Sequence, residues 1–137
     1  LTHNIFLLTI LYVIHYNKSE VNELDEKMII NNLEVELKRG TQTLQVLFLL
    51  KNEQYGYSLL QALEERQINI EAGTLYPLLR RLETQRMLTS NWDTSESRPR
   101  KYYVLSPFGE EVLEHLIKTW TEINDEMMKL IKGDNKQ

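Results

Sequence analysis

Cysteine is absent from the 137 residues, which excludes a disulfide scaffold, thiolate catalysis and any metal site that needs thiolate ligands. Histidine is scarce, with only His3, His15 and His115. Glu111 and His115 stand four apart, on one face of any helix, but no second pair of ligands accompanies them, so no metal site is expected. The five glycines form neither a phosphate loop nor a dinucleotide fingerprint, and there is no nucleophile elbow. No cofactor is expected, and enzyme readings are poor. Long hydrophobic runs are missing too. The longest, Ile5–Ile14, is too short to span ~30 Å of hydrocarbon as a helix. It has no basic stretch before it and no small-residue cleavage site after it, as a signal peptide would. There is no internal repeat and no low-complexity linker.

What remains is a soluble globular composition, 42% hydrophobic and 26% charged. The length suits one domain, or one domain with an appendage. A net charge of -4 gives no support to a polyanionic partner, but the distribution does. Between residues 73 and 101, Arg80, Arg81, Arg86, Arg98, Arg100 and Lys101 face only Glu83, Asp93 and Glu96. Such local positive potential is what a duplex-binding face requires, although a solvated charged surface would read the same way. Residues 1–27 are read as an upstream extension, with Met28 standing just before the first well-patterned helix. The competing reading is a helix that packs on the domain or on a partner copy.

Periodicity then divides the chain. Leu33, Leu37, Thr41, Leu44, Leu47 and Phe48 predict a first helix over about 34–51, with Gly40 as a break and Val46–Leu50 as its most buried part. Asn52–Gly56 is a polar break. A second helix over about 57–66 turns Leu60 and Leu63 inward. The connection over 67–71, with Ile68 and Ile70, has the composition of one small strand. A third helix over about 72–86 buries Leu75, Leu78, Leu79 and Leu82 and turns Gly73, Thr74, Pro77, Arg80, Arg81 and Thr84 outward, with Tyr76 on a flank. Segments 88–92 and 101–105 have strand composition and enclose a long polar loop with a basic end. Tyr102 and Tyr103 must point to opposite faces, so at most one of them is core. Ser106-Pro107 reads as an N-cap followed by proline at the first helical position. A last helix over about 107–131 carries Phe108, Val112, Leu116, Trp120, Ile123, Met127 and Leu130 at three- or four-residue spacing. At ~37 Å it is longer than so small a core can cover, so its stripe calls for a second chain.

The expected fold is therefore mainly α with a small β-hairpin: a winged helix-turn-helix plus a long C-terminal dimerisation helix. At this point the sequence resembles a known family. Lys38-Arg39-Gly40-Thr41, Tyr55-Gly56-Tyr57, Gly73-Thr74-Leu75-Tyr76-Pro77-Leu78-Leu79-Arg80-Arg81-Leu82-Glu83 and Arg98-Pro99-Arg100-Lys101-Tyr102-Tyr103 are similar to the signature stretches of PadR-type transcriptional regulators. The resemblance covers about residues 33–131. It implies a dimeric winged-helix repressor of a detoxification or efflux promoter, released by a small hydrophobic or phenolic ligand. One departure is visible: where the family usually has glycine after the third helix, this chain has Gln85-Arg86-Met87.

On this reading residues 28–105 form the DNA-binding domain, 106–132 the dimerisation helix and 133–137 a polar tail. Thr74, Tyr76, Arg80 and Arg81 are the major-groove candidates, because an arginine can donate two hydrogen bonds to guanine. Arg98, Arg100 and Lys101 on the proline-stiffened wing are candidates for phosphates or a narrow minor groove. Tyr57 could reach a phosphate from the start of the second helix, although packing explains it as well. Val112, Leu116, Trp120, Ile123, Met127 and Leu130 are the dimerisation candidates, and Trp120 also the candidate for stacking an aromatic inducer. The expected partners are double-stranded DNA with an inverted-repeat operator, a second copy of the chain, and a small hydrophobic or aromatic inducer. A cytoplasmic location and no membrane are expected. Two alternatives stand beside this reading: a winged helix used for protein–protein contact, and a regulator tethered to a membrane through residues 5–14.

Overall fold

The computed structural model describes residues 2–134. The elements run α1 (Thr2–Leu49), β1 (Gln54–Tyr55), α2 (Gly56–Glu65), α3 (Ala72–Thr84), β2 (Leu88–Asp93), β3 (Arg100–Leu105) and α4 (Pro107–Asp134). The chain divides into two compact units, one ending at Gly40 and one beginning at Thr41. The described residues of the first are helical, so the helix expected to start near residue 34 starts at Thr2 instead, and Gly40 lies within it rather than breaking it. A single glycine inside a helix costs only about 1 kcal/mol relative to alanine and does not stop it. Leu33 and Leu37, expected inward, are exposed, Leu37 by 81%. Among the described residues no helix is long and apolar enough to cross a membrane.

The second unit holds the core. Val46, Leu47 and Leu50 meet Leu59 and Leu63 of α2, Leu75, Leu79 and Leu82 of α3, Leu88 and Leu105 of the sheet, and Leu113 of α4. The leucine spacing along α3 was legible from the sequence, and all four leucines are buried. Elsewhere the inward face is rotated from the expected one. Leu59 with Leu63 faces the core and Leu60 is half-buried, because residues four apart share a helix face. Phe48, inside the segment expected to be buried all round, is exposed. In α4 the buried hydrophobic side chain is Leu113, with Val112 and Leu116 packed beside it at the edge of the core.

The sheet has three antiparallel strands in the order β1-β3-β2. Its third strand is Gln54–Tyr55, which pairs with Tyr103 and Tyr102, and not the Ile68–Ile70 segment. A lone hairpin leaves one edge of β3 unpaired, and this short segment covers it. Ile70 enters the core directly from the turn. Tyr103 is buried and Tyr102 half-buried, on opposite faces as strand alternation demands.

Both helices of the helix-turn-helix end in the same way. After α2, Gln67 has φ 58, and after α3, Arg86 has φ 64. In each case two backbone bonds close the end: Gln67 N–H to Glu64 and Ile68 N–H to Leu63 (both 2.9 Å), then Arg86 N–H to Glu83 and Met87 N–H to Leu82 (both 2.9 Å). This is the Schellman arrangement, which glycine usually serves. Arg86 thus takes the left-handed position that glycine usually fills in such a turn. Left-handed backbone at a side-chain-bearing residue costs roughly 1–2 kcal/mol, which the two bonds and the leucine core offset.

The start of α4 is as expected. The Ser106 hydroxyl accepts the Gly109 N–H at 2.9 Å, with Pro107 at the first helical position. The same hydroxyl donates to the Arg86 carbonyl at 2.6 Å, tying α4 to the turn after α3. Gly109 lies against the Met87 carbonyl, where any Cβ would collide.

Candidate nucleic-acid interface

Burying the leucines of α3 forces the rest of that helix outward. Thr74, Pro77, Arg80 and Arg81 are exposed, and Tyr76 is exposed by 41%. Pro77 is the sixth residue of the helix, just after its first turn, so the Gly73 carbonyl lacks the i+4 N–H of a regular helix. That polar group remains on the outward face. Among the described residues, neither Arg80 nor Arg81 is in an ion pair.

Tyr76 is held by Gly56. A Cβ at position 56 would overlap the Tyr76 ring, so the glycine lets that ring lie against the start of α2. The first turn of α2 is stitched by Ser58, whose hydroxyl accepts the Tyr55 N–H at 3.1 Å and donates to the Gln54 side chain at 2.7 Å. Tyr57 is therefore fixed at the helix start with its ring exposed by 58%.

The wing brings its cations to three different environments. Arg98 is exposed in the loop and makes no ion pair among the described residues. Arg100 lies over the Tyr55 ring, 4.9 Å from its centroid, and 3.4 Å from Glu96. A hydrogen bond with Tyr102, and then the Glu96 carboxylate, hold its guanidinium above its ordinary pKa. Lys101, expected as a cation facing the partner, is half-buried and turned inward. Its ammonium donates to Glu83 of α3 at 2.9 Å and lies 5.1 Å from the Tyr103 ring centroid. Glu83 also accepts from the Ser90 hydroxyl at 2.9 Å. The Lys101 hydrogen bond holds the Glu83 carboxyl below its ordinary range against a smaller opposing effect of burial, and Glu83 in turn raises Lys101.

Tyr57, Tyr76, Arg98, Arg100 and Lys101 all line one cleft of about 720 Å³ between α3 and the wing. Thr74, Arg80 and Arg81 lie outside it, on the open face of α3. Three neighbours of this surface were missed in the sequence: Tyr55, which carries Arg100; Glu83, which carries Lys101; and Trp92, which lines the cleft and is 63% exposed. Of these only Trp92 left a signal, because strand alternation from Leu88 and Ser90 puts it on the side facing α3.

On α4, Trp120, Ile123, Met127 and Leu130 are exposed by 47–61%, while Val112 and Leu116 are shared with the chain's own core.

A family profile described as the transcriptional regulator PadR-like family matches residues 46–115. The chain belongs to the PadR family. It is a DNA-binding transcriptional regulator, and the family is one of regulators, not enzymes. The transcriptional regulator Rv3488 of Mycobacterium tuberculosis is 31% identical over 94 residues, covering 68% of this chain and 88% of that relative. Among solved structures, a PadR family transcriptional regulator from Eggerthella lenta is 42% identical with a TM-score of 0.75, covering 79% of this chain and 96% of the other. A PadR family transcription regulator from Clostridium difficile is 28% identical with a TM-score of 0.61, covering 66% and 98%.

Proposed function

We propose that this PadR regulator is a homodimeric repressor, acting in the cytoplasm, in which each copy lays α3 in the major groove and its wing on the neighbouring backbone. Residues 28–105 are then the DNA-binding part, 106–132 the dimerisation helix and 133–137 a tail. Arg80 or Arg81 reads guanine, Thr74 and Tyr76 bond phosphates or base edges, and Tyr57 and Arg98 hold the backbone, with Arg100 beside them still paired with Glu96. Lys101 acts from behind by fixing the wing to α3 through Glu83.

The observation that carries the dimer is the apolar row Trp120, Ile123, Met127 and Leu130, left open to solvent at helical spacing along α4. An uninterrupted apolar row on a helix calls for a partner, and a second copy of the same helix offers the same row. Val112 and Leu116 continue it toward the core. Half-sites then lie about one duplex turn apart, ~10 bp, as an inverted repeat. An aromatic inducer stacking on Trp120 acts only by favouring a dimer geometry that misplaces the two α3 helices.

Footprinting on the DNA upstream of the chain's own gene, with sedimentation of wild type and Ile123→Glu, tests this. The expected result is a protected inverted repeat for wild type, and a monomer with lost protection for the variant. A wild-type monomer that still protects the site refutes the dimer. Titration of the complex with flat aromatic compounds tests the inducer, and unchanged operator affinity throughout refutes it.

A further inference from the structure

Trp92 is left without a role by the core and by the regulator function alike. Leu88 is buried and Ser90 bonds Glu83 of α3, so alternation along β2 turns the next residue of that face, Trp92, to the same side. The core ends before it gets there, and the indole is 63% exposed. An exposed indole offers a large flat apolar face and one N–H donor to whatever enters the cleft. Trp92 shares the cleft between α3 and the wing with Tyr57, Tyr76, Arg98 and Arg100, and among the described residues no aspartate or glutamate lines that cleft.

A cleft lined by two guanidiniums and by no carboxylate, with Glu96 reaching Arg100 from outside the lining, suits an anion. Exposed aromatic rings add flat apolar walls and donors at their rims, the tyrosine hydroxyls and the indole N–H. The occupant follows from where the cleft lies. With α3 in the major groove and the wing at the minor groove, the part of a duplex between them is one sugar–phosphate ridge. Deoxyribose offers an apolar C–H face and the phosphate an anion, which match the ring faces and the donors respectively. The geometry points to Trp92 as a residue that grips the sugar–phosphate backbone of the bound duplex from inside this cleft. This assignment rests on the placement of α3 and the wing on DNA proposed above.

Two tryptophans make the test direct, since 5-fluorotryptophan labelling gives two fluorine resonances, and Trp92→Phe identifies the one from position 92. The labelled protein is titrated at low salt with a fluorescein-tagged random-sequence duplex, and separately with the fragment upstream of its own gene, while anisotropy follows complex formation. The Trp92 resonance is expected to shift in step with anisotropy on both duplexes. Trp92→Leu is expected to weaken binding to both by the same factor, roughly tenfold, with an unchanged dependence on salt, because an uncharged contact releases no counterion. Trp92→Phe, which keeps a ring, loses less. A complex that forms without moving the Trp92 resonance overturns the proposal. So does a Trp92→Leu loss confined to the upstream fragment, which marks a base contact instead. If neither duplex raises the anisotropy, the placement of α3 and the wing on DNA fails, and the proposal fails with it.

Discussion

Substituting Glu83→Gln tests the join between α3 and the wing. Glu83 accepts hydrogen bonds from Lys101 and Ser90, both at 2.9 Å, and links residues far apart in sequence. Its side chain is 33% exposed and that of Lys101 27%, so solvent screens the pair in part. An exposed ion pair contributes 0–1 kcal/mol and a charge-assisted bond more, so about 1 kcal/mol is the expected loss. For a unit of this size that lowers the melting temperature by roughly 5 °C. Lys101→Met is expected to cost as much and the double variant no more than either, a coupling of about 1 kcal/mol. Glu83 is held below its ordinary value of 4.5, so its share is present above that pH and is lost as pH falls through its folded value. Lys101 is held above its ordinary value of 10.5, so its share is present below that pH and is lost as pH rises through its folded value. The coupling is therefore flat near neutrality and fades at both extremes. DNA affinity separates two roles for Lys101 by sign. If the pair positions the wing, Glu83→Gln weakens binding with the salt dependence unchanged. If Lys101 instead reaches a phosphate, Glu83→Gln frees it and tightens binding. A coupling below about 0.3 kcal/mol, or tighter binding by Glu83→Gln, refutes the positioning argument.

Two further substitutions test the local structure that holds the site. Ser106→Ala removes both the N-cap of α4 and the bond to the Arg86 carbonyl, and is expected to cost about 1–2 kcal/mol in urea unfolding. Gln67→Gly relieves left-handed backbone at an exposed position and is expected to raise stability by about 0.5–1 kcal/mol in the same assay, with DNA binding unchanged.

The buried face was legible along α3, though not along the first helix, where Leu33, Leu37 and Phe48 repeat at helical spacing and are exposed. Leu75, Leu78, Leu79 and Leu82 mark the buried side of α3 because four apolar residues at helical spacing leave one solution. Short elements carry no such redundancy. Gln54–Tyr55 is two residues long and becomes a strand only because β3 offers it an open edge, a tertiary cause with no local trace. Ile68 and Ile70 mimic a strand by their i, i+2 spacing, yet Ile70 fills the core from a turn whose geometry is set at Gln67. In the site, residue types were legible and pairings were not. The sequence shows three cations in Arg98, Arg100 and Lys101; only the packing of α3 on β3 shows that one of them is matched by Glu83.

That difference changes the expected electrostatics of binding. Six cations lie between residues 73 and 101, but Lys101 is paired with Glu83 and Arg100 with Glu96, which leaves Arg80, Arg81, Arg86 and Arg98. The overall charge of -4 does not cancel these four, because seven of the carboxylates lie on α4. At 0.1 M salt, exposed charges more than ~10 Å apart are largely screened from one another. An acidic chain can thus present a cationic face. Each cation that neutralises a phosphate contributes about -0.9 to the slope of log affinity against log salt. Four per protomer and eight per dimer give a slope no steeper than about -7. Counting all six cations instead gives about -11. Anisotropy titrations of the upstream fragment across a salt series separate the two values. A slope near -11 would mean that the Glu83 and Glu96 pairs open on binding, and that the wing cations are released to DNA when the complex forms.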